Sequence, residues 1–142
     1  MANIGYKFVK MELTQFSPNH ENYKDDGQPA NVSTGFEFGY NSESRILRCT
    51  DIFQFAQENR IFLNAELQTY FEIQEDSLGN LVEDNKLTIP NGLLCQFASL
   101  GYGAFRGILY LKAINTPYSD IVLPPLYIND IIKDNLVIDL KS

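Results

Sequence analysis

The chain has no tryptophan, a single histidine, two cysteines and few cations. Eleven Lys and Arg stand against 18 Asp and Glu, a formal net charge of −7. Each scarcity excludes something. One histidine, His20, with no paired cysteines cannot build a standard zinc site. Cys49 and Cys95 lie far apart without a CxxC and read as reduced thiols, although spacing alone leaves a disulfide open. An acidic chain without a basic patch repels phosphate, which argues against nucleic acid as a partner. The same charge can attract basic or unfolded polycationic partners. No apolar run approaches the length that spans a membrane. The start, "MANIGYKFVKMEL", lacks the apolar stretch and small-residue cleavage site of a secretory signal. The expectation is a cytoplasmic protein without membrane insertion.

Catalytic signatures are equally scarce. There is no GxSxG, P-loop or dinucleotide fingerprint, and "GYGAFRG" lies inside a helical pattern rather than before one. Cys95 falls near a helix start, where a thiol pKa can drop, but no base stands beside it in the sequence. Asp76, Asn80, Glu83 and Asp84 fail the EF-hand spacing and read as a solvated turn. The expectation is no enzyme, no cofactor and no metal.

What is present is patterning. The 142 residues suit one domain, 1–142, with 44% apolar residues and aromatics from ten Phe and eight Tyr. "YKFVKMELTQF" puts Val9, Met11 and Leu13 on one face of a strand and Lys10 and Glu12 on the other. "SPNHENYKDDGQPAN" is a loop. "VSTGFEFGY" aligns Phe36, Phe38 and Tyr40. "RILRCTDIFQFA" aligns Leu47, Cys49, Phe53 and Phe55, interrupted by Asp51. "IFLNAELQTYFEI" sets Ile61, Leu63, Ala65, Leu67, Phe71 and Ile73 against Asn64, Glu66, Gln68 and Glu72, with Phe62 and Tyr70 on the polar side. Short turns between these segments predict antiparallel neighbours with one face covered.

A long helix follows an acidic connection. Asn91 reads as its N-cap, and Leu94, Phe97, Ala98, Gly101, Ala104, Phe105, Ile108 and Leu111 recur at helical spacing. Gly101, Gly103 and Gly107 each cost a helix roughly 1 kcal/mol against alanine, so packing must offset them. Pro117, Pro124 and Pro125 force an extended stretch. "INDIIKD" reads as a short second helix, and "NLVIDLKS" as a short strand or an apolar tail.

The run "ASLGYGAFRGILYLKAINTPYSDIVLPPL" resembles the SecB-like export chaperones, some of which serve toxin–antitoxin modules. The resemblance is carried by Arg106-Gly107-Ile108-Leu109, Thr116-Pro117, Leu123-Pro124-Pro125 and the Ile128-Asn129-Asp130 turn. It implies an α+β fold: a four-stranded antiparallel sheet with one face covered by the long helix plus a short C-terminal helix. It implies a homo-oligomer, a dimer or dimer of dimers, with Gly101, Gly103, Arg106 and Gly107 at subunit contacts and Arg106 facing a carboxylate or helix end. It implies an ATP-independent holdase that takes unfolded or preprotein polypeptide, an antitoxin among the candidates, in apolar grooves near the crossover segment and second helix. The residues it nominates for client binding are Leu78, Leu81 and Val82 in the crossover, Tyr118, Ile121, Leu126 and Tyr127 in the extended stretch, and Phe62 and Tyr70 on the fourth strand. The acidic tail with which the export chaperones meet the SecA motor is not matched by "VIDLKS", which puts SecA coupling in doubt. A non-catalytic oligomeric scaffold on the same fold is the alternative.

Overall fold

The computed structural model describes residues 4–140. Four long strands form one antiparallel sheet in the order β1-β4-β3-β2: β1 Tyr6–Pro18, β2 Asn31–Asn41, β3 Ile46–Gln57 and β4 Arg60–Ile73. Two hairpins build its centre. Between β3 and β4 the chain turns at Glu58 and Asn59, both left-handed (φ 47° and 68°), the twist that matches a two-residue hairpin. Because β1 and β2 occupy opposite edges, residues 19–30 carry the chain across the sheet. The crossing connection is therefore this early loop, not the segment around Leu78 to Val82.

That later segment has its own structure. A single helical turn, α1 (Glu75–Leu78), leads to a small hairpin, β5 (Val82–Glu83) and β6 (Lys86–Ile89), turned at left-handed Asp84 and Asn85. The long helix α2 spans Asn91–Ala113. Its start is capped from a distance: Asn91 is its first helical residue, and its N–H donates to Asn135 Oδ1 at 2.9 Å. Asn115 (φ 65°), two residues past its end, takes the left-handed conformation with which helices commonly stop. Residues 114–135 then return as a strap, made of turns over 114–120 (Pro117 among them, against the expected extension) and extended over 121–127, and β7 (Leu136–Asp139) pairs with β6 to complete a three-stranded second sheet. "NLVIDLKS" thus ends in a strand. Ile128–Asp130 is only a 3-10 turn, so the expected second helix is absent among the described residues.

Two irregularities correct the face assignments. The register shift between Phe55 and Ala56 pairs Phe55 with Leu63 but Ala56 with Ile61, leaving Phe62 as the extra residue. Phe62 and Leu63 are both buried, while Ile61 is exposed. On β1 a bulge at Val9 puts Phe8, paired with Phe71, on the covered face with Met11 and Leu13. A second bulge follows Leu13.

The core lies between α2 and the two middle strands. Phe97 stacks on Phe71 with ring centroids 3.9 Å apart, and Phe105 on Phe53 at 4.0 Å. Each such buried ring contributes roughly 1.5–3 kcal/mol by leaving water. The two cysteines are buried and free, and burial pushes both thiols up, so neither is an activated nucleophile.

One residue in this core is charged in type. Asp51 sits at 0% exposure on the covered face of β3. Its Oδ1 accepts from the Cys49 thiol at 3.2 Å, and its Oδ2 has no partner. A Cβ built at Gly101 would stand 2.7 Å from that Oδ2. Gly101 is therefore the point where α2 lies down on Asp51 within one protomer, not a subunit contact. Gly103 and Gly107 face open space.

Burial raises the Asp51 carboxyl from 3.8 to about 7. The folded state therefore keeps a proton that the unfolded chain releases, and stability falls as pH rises from about 4 to about 7, then levels. Urea unfolding across that range should show a decline of up to about 4 kcal/mol that Asp51→Asn abolishes. A second comparison separates the glycines. Gly101→Ala should destabilise by roughly 1–3 kcal/mol through overpacking on Asp51. Gly107→Ala should stabilise by about 0.5–1 kcal/mol, measured by the same method.

Candidate functional site

The helix leaves the covered face of β2 incompletely buried. Val32, Thr34, Phe36, Phe38 and Tyr40 pair with Phe55, Phe53, Asp51, Cys49 and Leu47 and so point toward the core, yet all five remain half-buried. The strap rises opposite them, and a trough opens between the two. At the start of β2 its depression is about 450 Å³, lined by Val32, Phe55, Ile121, Val122 and Pro124 with Asp120. Farther along, a depression of about 240 Å³ lies between Phe36, Phe38, Leu94, the end of the strap from Ile131 to Asn135, and Leu136 at the start of β7. Asn135 separates this from a third hollow of about 410 Å³ lined by Leu81, Val82, Thr88 and Pro90.

The wall of the trough is held at named points. Tyr118 is buried against Phe62 and Tyr23, and its hydroxyl lies 3.2 Å from His20 Nε2. Tyr102 Oη donates to the Pro124 carbonyl at 2.6 Å, and the Cys95 thiol to the Ile132 carbonyl at 3.5 Å. Between these anchors Val122 is 75% and Tyr127 79% exposed. The near end is acidic: burial, then Asp25, Asp120 and Asp26, raises the Tyr23 phenol.

The nominated residues divide. Ile121 lines the first depression, and Leu81 and Val82 the third. Tyr127 is exposed on the strap, with Leu126 half-buried beside it. Leu78 is half-buried at the end of α1. Phe62 and Tyr118 are core residues, 0% and 1% exposed, and cannot meet a client in this conformation. The β-bulge explains Phe62, and the strap's first anchor explains Tyr118. Tyr70 lies on the opposite face of the sheet, its hydroxyl donating to Gln68 and Lys10 resting over its ring. Arg106 is exposed, and within the protomer its guanidinium lies 5.8 Å from the Tyr102 ring centre.

Lining residues not foreseen include Val32, Phe36, Phe38, Leu94, Val122, Ile131 and Ile132. The alternation of β2 was visible, but it does not say that β2 is an edge. Among the described residues no group of three or more His, Cys, Asp or Glu could hold a metal ion, and no helix is long and apolar enough to cross a membrane.

The opposite edge carries a second apolar surface. Phe8 (46% exposed), Met11 (50%), Leu13 and Phe16 of β1 line up beside the α2 face that runs from Gln96, bonded to the Tyr6 hydroxyl, to Lys112, over the Phe16 ring. That face carries Leu100, Ala104, Ile108 and the exposed Leu111, with Gly103 and Gly107 between them.

The sequence matches no protein-family model and no curated protein. The fold does find a counterpart: a SecB-like chaperone of Mycobacterium tuberculosis, solved with a ChAD peptide from the HigA1 antitoxin. The two superpose with a TM-score of 0.56 at 11% identity over 85% of this chain and 90% of that one. A protein of unknown function from Streptococcus agalactiae gives a TM-score of 0.34 at 12% identity over 87% of this chain and 100% of that one, a much looser likeness. The chain thus shares the SecB-like fold, with its four-stranded antiparallel sheet and long helix.

An apolar fluorescent dye should report the trough. Val122→Asp and Ile131→Asp alter exposed lining residues and should each lower dye binding several-fold while leaving the circular dichroism spectrum unchanged. Undiminished binding in both would place the accessible apolar surface elsewhere.

Proposed function

We propose that this protein is an ATP-independent chaperone that holds an extended stretch of polypeptide in the trough between β2 and the strap. The observation that carries the reading is the covered face of β2, whose Val32, Phe36 and Phe38 stay half-buried beside open depressions. Apolar surface of this kind binds chains by removing area from water, about 25 cal/mol per Å², with little demand for a particular sequence. The shared fold supports the reading, since the mycobacterial counterpart was solved with an antitoxin peptide. An antitoxin-like segment or a preprotein is the client class in view, and the reading assigns no catalytic step, no cofactor and no nucleic acid.

The strip along β1 and α2 supports a homo-oligomer. Leu100, Leu111, Phe8 and Met11 are exposed there with no covering element among the described residues, and Gly103 and Gly107 keep the helix surface between them low. A purely structural subunit would use this strip and have no need of the trough on the other edge.

The test is suppression of aggregation of a chemically unfolded enzyme, followed by light scattering without nucleotide. The expected result is suppression at near-stoichiometric protein, weakened by Val122→Asp and Ile131→Asp. No suppression at several-fold excess sinks the holdase reading. Mass measurement on the same sample should give an oligomer that Leu111→Asp reduces to a folded protomer. An unaltered mass would remove the strip from the interface.

A further inference from the structure

We propose that the free edge of β2 takes an extended segment of the bound polypeptide as a fifth strand, with apolar residues flanking a lysine or arginine that faces Glu37. This rests on the holdase reading and assigns the main-chain contact by which the client is held.

The two edges of the large sheet differ in how they treat a strand that approaches them. Exposed edges usually carry bulges, lysines or prolines that discourage pairing. β1 has all three: two register breaks, Lys7 and Lys10, and Pro18 at its end. β2 has none. Its 11 residues pair with β3 in unbroken register, and "NVSTGFEFGYN" contains no lysine, arginine or proline. Among the described residues no strand pairs with its other edge. A long regular row of backbone donors and acceptors is therefore left open beside the trough.

The side chains fix what kind of segment fits. Phe36 and Phe38 point into the trough and Glu37, between them, to the outer face. A strand laid along β2 sends alternate residues to each face, so its apolar residues would join Phe36 and Phe38 while the residue between them meets Glu37. An opposite charge across a strand pair is favourable and a like charge unfavourable. The same rule disfavours the central registers in which a second copy of this chain could pair here. Antiparallel pairing of two β2 strands centred on Phe36 or Glu37 sets the two Glu37 carboxylates diagonal or opposite to each other. The trough walls add Asp120 and Asp134 against Lys133, so the balance of charge around the site is negative.

The experiment uses the full chain and a synthetic peptide as long as β2, alternating valine and threonine with a central lysine. A depsipeptide twin replaces the central amides with esters, keeping every side chain but losing those donors. Binding is read by fluorescence anisotropy and by amide hydrogen exchange of the protein. The peptide should bind, and the ester twin should bind about tenfold more weakly, the loss of one or two net hydrogen bonds. Alternate amides within Asn31–Asn41 should become protected when the peptide is added, and central glutamate for lysine should weaken binding several-fold. Equal binding of peptide and twin with unchanged β2 amides overturns strand addition while leaving the trough reading in place. If neither peptide binds and aggregation is not suppressed, both readings fall. If neither peptide binds yet aggregation is suppressed, strand addition alone falls. Protection of β2 that rises with protein concentration before any peptide is added assigns the edge to a second copy and also overturns the proposal.

Discussion

The contact on which the structure depends is the seating of α2 on β3 at Gly101 and Asp51. A side chain at residue 101 would hold the helix off the sheet, since even a single Cβ would fall 2.7 Å from the Asp51 carboxylate. On either side of this point Phe97 meets Phe71 and Phe105 meets Phe53 in face-to-face stacks. Those rings can approach to about 4 Å only because the backbone between them is unobstructed. The same burial keeps the Asp51 carboxyl protonated up to about pH 7. The core thus accepts an incompletely satisfied polar group, while the stacked rings bury apolar area around it.

A geometric mismatch follows from using one helix on four strands. The outer strand axes of such a sheet lie about 14 Å apart, whereas a helix with its side chains is about 10–12 Å across. α2 therefore covers β3 and β4 and leaves both edges partly bare. The protein treats the two margins differently. On the β2 side the strap forms a second wall and makes a trough. On the β1 side nothing among the described residues rises opposite Phe8 and Met11, which stay about half exposed. A trough suits a single extended chain. An open strip with small residues in its helix suits another folded surface.

Much of this was legible in the residues. The strand segments and the long helix are set by periodicity and by turn chemistry and appear where the patterns put them, whereas the proline-directed extension is confined to residues 121–127, because the stretch around Pro117 folds into turns. The faces were less secure, because one inserted residue inverts the parity of everything beyond it. Phe62 became core and Ile61 surface through the shift at Phe55/Ala56, and Phe8 displaced Val9 through a bulge on β1. Nothing local in the sequence announces either event. The β5–β6 hairpin was hidden because its turn, Asp84-Asn85, sits in an acidic stretch that also reads as plain loop. Arg106, part of the motif that resembles the family, rests over the Tyr102 ring on the exposed side of α2. The trough residues were seen as alternating apolar positions, but their accessibility comes from strand order. Strand order is a property of long-range pairing, which no window of sequence contains. Asp51, which looked like an interruption, and Gly101, which looked like a site of assembly, explain each other only once they are seen face to face.

The strap has a further consequence for binding energetics. It is tied down at Tyr118, at the Pro124 carbonyl, at the Ile132 carbonyl and finally at Asn135, where it caps α2 before entering the second sheet. Spans between such ties are short, and short tethered spans have little conformational freedom left to lose. Association is weakened when a receptor must order its own loops as the ligand arrives. Here that entropy was surrendered at folding, before any ligand came. Val122 and Tyr127 stand out from the two intervening spans, so the wall is preorganised at its supports and adjustable at its most apolar tips. A receptor built this way can accept side chains of different size without re-forming itself for each one.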